Sequence, residues 1–103
     1  MTDLAESAAR LERDAISRLD ETLAGAALCR VDGGLARPAK YWEGRSAALA
    51  QVRRALRRAE DGTEAELIAA IRATWRRQLE TQRGEAWQTY NSAGLEALAE
   101  LRT

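Results

Sequence analysis

Residues 55–68 read Ala-Leu-Arg-Arg-Ala-Glu-Asp-Gly-Thr-Glu-Ala-Glu-Leu-Ile, and this stretch decides the fold. Asp61-Gly62 stops a helix, because glycine reaches the left-handed backbone region that closes a last turn without a steric cost. Thr63 starts another helix. Its hydroxyl can accept from the N–H of Glu66, and the Glu66 carboxylate can accept from the N–H of Thr63, which makes a reciprocal capping box. One helix therefore ends and the next begins across Asp61-Gly62-Thr63. A link this short folds the two helices back on each other as an antiparallel hairpin.

Upstream of the junction, residues 38–60 read as helix two. Tyr41, Trp42, Ala48, Leu49, Val52, Ala55, Leu56 and Ala59 fall on one broad face at about 100° per residue. Pro38 suits the first position, where an N–H has no intrahelical acceptor anyway. Residues 30–37 before it read as a loop, on the strength of the turn signal Asp32-Gly33-Gly34. Helix one covers residues 3–27. Asp3 caps it with Glu6 three residues on, and Leu4, Ala8, Leu11, Ala15, Leu19 and Leu23 form its apolar stripe.

Downstream, residues 64–90 read as helix three, with Leu67, Ile68, Ile71, Trp75, Leu79 and Ala86 on its stripe. Gln78 and Gln82 fall close to that stripe and make its second half more polar. Gly84 marks a bend. Asn91-Ser-Ala-Gly94 reads as a second break, followed by a short helix over 93–102 carrying Leu95, Leu98 and Leu101. The expected fold is all-α: a three-helix bundle with a short C-terminal fourth helix or helical tail, in one domain spanning 1–103.

Composition agrees with helices and removes most catalytic chemistry. The chain has two valines and no phenylalanine, and alanine, leucine, arginine and glutamate dominate. There is no histidine, so His-based triads, His–metal sites and the commonest neutral-pH base are gone. A lone cysteine, Cys29, makes neither an internal disulfide nor a thiolate zinc site. Arg30 beside it could lower its pKa, but no base accompanies it. No Gly-rich phosphate loop follows a strand. The reading is of a protein that is not an enzyme and takes no cofactor or metal. A reducing cytoplasm suits the lone thiol, the first residues lack a signal-peptide pattern, and no apolar run is long enough to span a membrane.

Charge supplies the candidate sites. Sixteen basic and sixteen acidic side chains cancel, but unevenly: residues 30–60 hold eight bases and three acids, while the flanking segments are net acidic. Arg45 falls inside the apolar face of helix two, between Trp42, Leu49 and Val52. A guanidinium there needs a carboxylate, for which Glu12 or Asp20 of helix one are the nearest choices, or it reaches water along its stem, or it anchors an anionic partner. Arg53, Arg54, Arg57 and Arg58 gather on the polar side of helix two, near the end where cations favour the dipole. Arg72, Arg76 and Arg83 could form a second basic stripe on helix three. Trp87 falls off the helix-three stripe, so it either packs under the tail helix with Leu95 and Leu98 or stands partly exposed as an interface anchor. Tyr90, one turn away, shares either role.

These residues point to an interaction protein, an adaptor, assembly component or regulator. Its long amphipathic helices bind a protein partner or a second copy, as a dimer with coiled-coil-like contacts. The partner-binding candidates are Arg45, Arg53, Arg54, Arg57, Arg58, Trp87 and Tyr90. The alternative is nucleic-acid binding through the arginine faces. Against it stand the overall neutrality, Glu60 and Asp61 beside the cluster, and the lack of aromatic side chains among its arginines.

Overall fold

The computed structural model describes residues 4–24, 33–58 and 62–101. Four helices follow one another: α1 Leu4–Ala24, α2 Gly33–Arg58, α3 Glu64–Thr81 and α4 Glu85–Glu100. They are all-α and of broadly similar length, with 21, 26, 18 and 16 residues. The expected three helices plus a short tail give way to four full helices.

From Gly62 onward the decisive junction forms as its sequence dictates. Thr63 is extended (φ −90°, ψ 163°), its hydroxyl accepts from the Glu66 N–H at 3.0 Å, and Glu66 Oε1 accepts from the Thr63 N–H at 3.0 Å. Gly62 takes φ 111°, the positive value a glycine supplies at a helix end.

Two boundaries differ from the reading of the sequence. α2 begins at Gly33, so Gly33 and Gly34 are helical and Pro38 lies inside the helix rather than opening it. Only about one turn precedes the proline. Its missing N–H therefore removes a single intrahelical bond, the one Gly34 would accept, a smaller loss than a mid-helix proline brings. The break between α3 and α4 falls at Gln82–Gly84, where Gly84 has φ 100°, and not at 91–94. Asn91 and Gly94 sit in the middle of α4 and are buried. Their turn-forming tendencies are overridden by tertiary contacts. The Asn91 amide accepts from Gln78 Nε2 at 2.9 Å and donates to Gln82 Oε1 at 2.8 Å. Gln88 Nε2 donates to the carbonyls of Leu79 and Gln82 at 3.1 and 3.2 Å, satisfying the orphan acceptors at the end of α3. The glutamines near the α3 stripe thus clasp α4. Asp3, Gly25–Ala27, Cys29, Arg30, Asp32 and Ala59–Asp61 lie outside the described residues, and the expectations placed on them, the helix stop at Asp61 included, lie there too.

α2 is the axis of the bundle. α1 and α4 each pack along it, and α3 lies against α4 and the C-terminal half of α2. Glu12 meets Arg53 and Arg18 meets Trp42, so α1 and α2 run antiparallel. Arg37 meets Glu85 and Arg45 meets Glu100, so α2 and α4 run the same way. Leu4, Ala8, Ala48, Val52, Ala55, Ile68, Ile71, Trp75 and Leu98 make the core. Leu49 and Val52 are fully buried, each worth about 1.5–3 kcal/mol of transfer from water. The α1 stripe is buried unevenly. Leu4, Ala8 and Ala15 are inside, whereas Leu23 is 39% exposed and Ile16, off the stripe, is 43% exposed. No described helix is long and apolar enough to cross a membrane.

Candidate interaction site

The backbones of α2 and α4 come close together where Gly44 faces Tyr90. A Cβ on Gly44 would overlap the Tyr90 carbonyl oxygen and lie 2.8 Å from its carbon. The missing side chain lets the two backbones touch and fixes where the Tyr90 ring stands. That ring stacks on buried Trp75 (centroids 5.3 Å apart, planes at 24°) and meets Trp87 edge-on (5.4 Å, 82°). Trp75 is itself held, because its indole N–H donates to Gln51 Oε1 at 2.9 Å. The outermost of the three rings, Trp87, is 44% exposed.

One turn before Gly44, Lys40 reaches over these rings. Its ammonium sits 5.3 Å from the Trp87 centroid, 5.9 Å from the Tyr90 centroid and 3.1 Å from Glu43 Oε1. Around it runs an open groove of about 390 Å³ lined by Lys40, Glu43, Ser46, Ala47, Trp87 and Tyr90. The Ser46 hydroxyl donates to the Glu43 carbonyl at 3.1 Å, which turns it toward its own helix. Burial raises the Tyr90 pKa, the nearby Glu43 carboxylate raises it further and Lys40 partly opposes both, so the phenol stays neutral. Chemically the groove is a cage for a cation: two ring faces with negative quadrupoles and one carboxylate.

Arg45 occupies a different side of α2 and is 5% exposed. Its guanidinium grips Glu100 with two bonds, Nη1 to Oε2 at 3.1 Å and Nη2 to Oε1 at 2.6 Å. Glu96 Oε1 lies 4.0 Å away and accepts from the Tyr41 hydroxyl at 2.8 Å. The pair is thus with α4, not with Glu12 or Asp20 of α1, because Gly44 brings α4 against this part of α2. Burial works against the Arg45 charge, but the bonds and field of Glu100 outweigh it and raise the pKa. Tyr41 is raised too, first by burial and then by its bond to Glu96.

Arg45→Ala is expected to cost about 1–3 kcal/mol more stability than Arg57→Ala, read by urea denaturation. The alanine strips the tie between α2 and the end of α4, whereas Arg57 stands in solvent. Equal costs would mean that the pair with Glu100 adds nothing to stability.

The arginine cluster divides. Arg53 binds Glu12 of α1, with Nε to Oε1 at 2.7 Å and Nη2 to Oε2 at 3.1 Å, and this bond raises its pKa. Arg54, Arg57 and Arg58 are exposed and have no ion-pair partner among the described residues. On α3, Arg72 is half-buried and Arg76 exposed, while Arg83 falls in the link beyond Thr81, so the three do not share one helix. Trp87 belongs to the first turn of α4 and is not tucked under Leu95 and Leu98. The structure therefore joins Trp87 and Tyr90 in one groove and leaves Arg45 and the cluster elsewhere.

Lys40, Glu43, Ser46 and Ala47 escaped the sequence reading. Lys40 is the one lysine beside fifteen arginines, and its spacing of three to Glu43, four to Gly44 and seven to Ala47 puts all of them on one helix face. Without the α4 register that face looks like ordinary solvated surface. Among the described residues, no cluster of acidic or cysteine side chains is placed to hold a metal ion. No family model, no curated protein and no solved structure matches this chain.

Proposed function

We propose that this is a non-catalytic helical interaction protein, an adaptor or assembly component, that receives a segment of its partner in the α2–α4 groove. One observation carries the reading: Trp87 stands 44% exposed on a rigid base of Tyr90 and Trp75, beside an open groove. An aromatic backed by packed rings loses little conformational freedom when a partner covers it, which is what makes tryptophan and tyrosine effective interface anchors. The polar side chains at the rim, Lys40, Glu43 and Ser46, give such a contact its orientation. A lone cysteine suits a reducing compartment, and the reading takes the cytoplasm as the place of this work.

Nucleic-acid binding is the weaker reading. Glu12 already neutralises Arg53, the remaining cluster has three exposed arginines, and the aromatic rings lie elsewhere. A backbone of phosphates would meet a small basic patch without a stacking platform.

Site-specific photocrosslinking tests the docking reading. A photoreactive phenylalanine analogue at Ala47, in the groove, should give discrete adducts with partner protein, and the same group at Arg76, on the exposed face of α3, should not. Trp87→Ala should abolish the Ala47 adducts while leaving the helical circular dichroism unchanged. Identical adducts from both positions, or adducts indifferent to Trp87, would refute the assignment.

A further inference from the structure

The cage in the α2–α4 groove already holds a cation, Lys40, and holds it weakly. The Lys40–Glu43 bridge is 35% and 40% exposed, and a pair so solvated contributes little. Lysine is also the lesser fit. A guanidinium lies flat on an indole and takes a carboxylate with two bonds, and it sheds water more readily than an ammonium. The chemistry that completes this site is therefore an arginine side chain.

The same chain displays such side chains. Arg54, Arg57 and Arg58 point to solvent at the far end of α2, three and four residues apart on one face, without an ion-pair partner among the described residues. Seventeen residues of α2 separate Lys40 from Arg57, about 25 Å at the rise of a helix, several times the reach of an arginine. No molecule can fill its own groove with its own cluster.

We infer that the occupant of the groove is the arginine cluster of a second copy of this chain, one guanidinium displacing Lys40 between Trp87, Tyr90 and Glu43. This rests on the reading of the groove as a docking site. The contact joins two different surfaces at opposite ends of one helix, so it is head-to-tail. It leaves a vacant groove at one end of the pair and a vacant cluster at the other, and further copies add in the same way.

Sedimentation velocity over a range of protein concentrations, at about 50 and 300 mM salt, reads this out. Wild type should grow in mass with concentration and shrink toward monomer at the higher salt. Trp87→Ala alone, and Arg54→Ala/Arg57→Ala/Arg58→Ala together, should each stay monomeric. Their equimolar mixture should form dimers and stop there, because one intact groove and one intact cluster remain. Glu43→Gln should weaken association, and Lys40→Ala should strengthen it roughly three- to tenfold by removing the internal competitor. Wild type that remains monomeric at low salt, a mixture that behaves as its separate components, or a Lys40→Ala variant that associates no better overturns the inference. A hexa-arginine peptide, followed by tryptophan fluorescence with Trp87→Phe as control, separates the two readings. Peptide binding to a protein that stays monomeric ends the self-association and leaves the groove a dock for another protein's arginines, whereas no peptide binding and no association ends both.

Discussion

Gly44→Ala should destabilise the protein by about 3 kcal/mol or more. Helix propensity alone predicts the opposite sign: alanine in a helix interior is favoured over glycine by about 0.5–1 kcal/mol. The tertiary contact decides. A Cβ at position 44 would overlap the Tyr90 carbonyl oxygen and crowd the carbon and Cα behind it, at 2.8 and 3.0 Å. These are backbone atoms in the middle of α4, so relief requires moving the whole helix. That movement would also pull Glu100 from Arg45 and Tyr90 from Trp75. The urea midpoint of the variant checks this. A gain in stability would mean that α2 and α4 are not held at this spacing in solution.

Gly94→Ala should cost about 2–4 kcal/mol for a related reason with a different remedy. The new Cβ would overlap the six-membered ring of Trp75. That ring is 3% exposed, stacked on Tyr90 and tied to Gln51 through its N–H, so it has no other rotamer to adopt without losing these contacts. Because the obstacle is a side chain, it can be removed. In a Trp75→Leu background, Gly94→Ala should cost markedly less than in wild type, a coupling that a double-mutant cycle measures. The cost of Gly44→Ala should fall by no more than the Tyr90–Trp75 stacking already lost in that background, since its main obstacle is the chain itself. Additive behaviour at position 94 would show that the Trp75 ring does not fill the space above Gly94.

What the linear order of residues determined is local. The Thr63–Glu66 box and Gly62 lie within a few residues of each other, and the cap they make at the start of α3 forms as read. The burial of Ala48, Leu49, Val52, Ile68, Ile71 and Trp75 follows from helical periodicity, which is also a local property. The demand of Arg45 for a carboxylate was likewise legible, since a guanidinium on an apolar face must be paired or reach water. The identity of that carboxylate was not. Glu100 is 55 residues away, and only the approach of α4 to Gly44 chooses it over Glu12.

The same limit explains the misplaced break. Asn91 and Gly94 look like helix breakers because asparagine and glycine prefer turns when nothing else engages them. In the folded chain the Asn91 amide is spent on Gln78 and Gln82, and the bare Gly94 backbone is spent on room for Trp75. Burial with satisfied hydrogen bonds outweighs a propensity of about 1 kcal/mol per residue. The groove, too, is a product of tertiary structure. Lys40, Glu43 and Trp87 carry no motif, and they become a cation cage because α2 and α4 run the same way with their backbones in contact at Gly44 and Tyr90. Caps and stripes depend on neighbours within a turn or two, whereas this cage depends on two backbones packed together from distant parts of the chain.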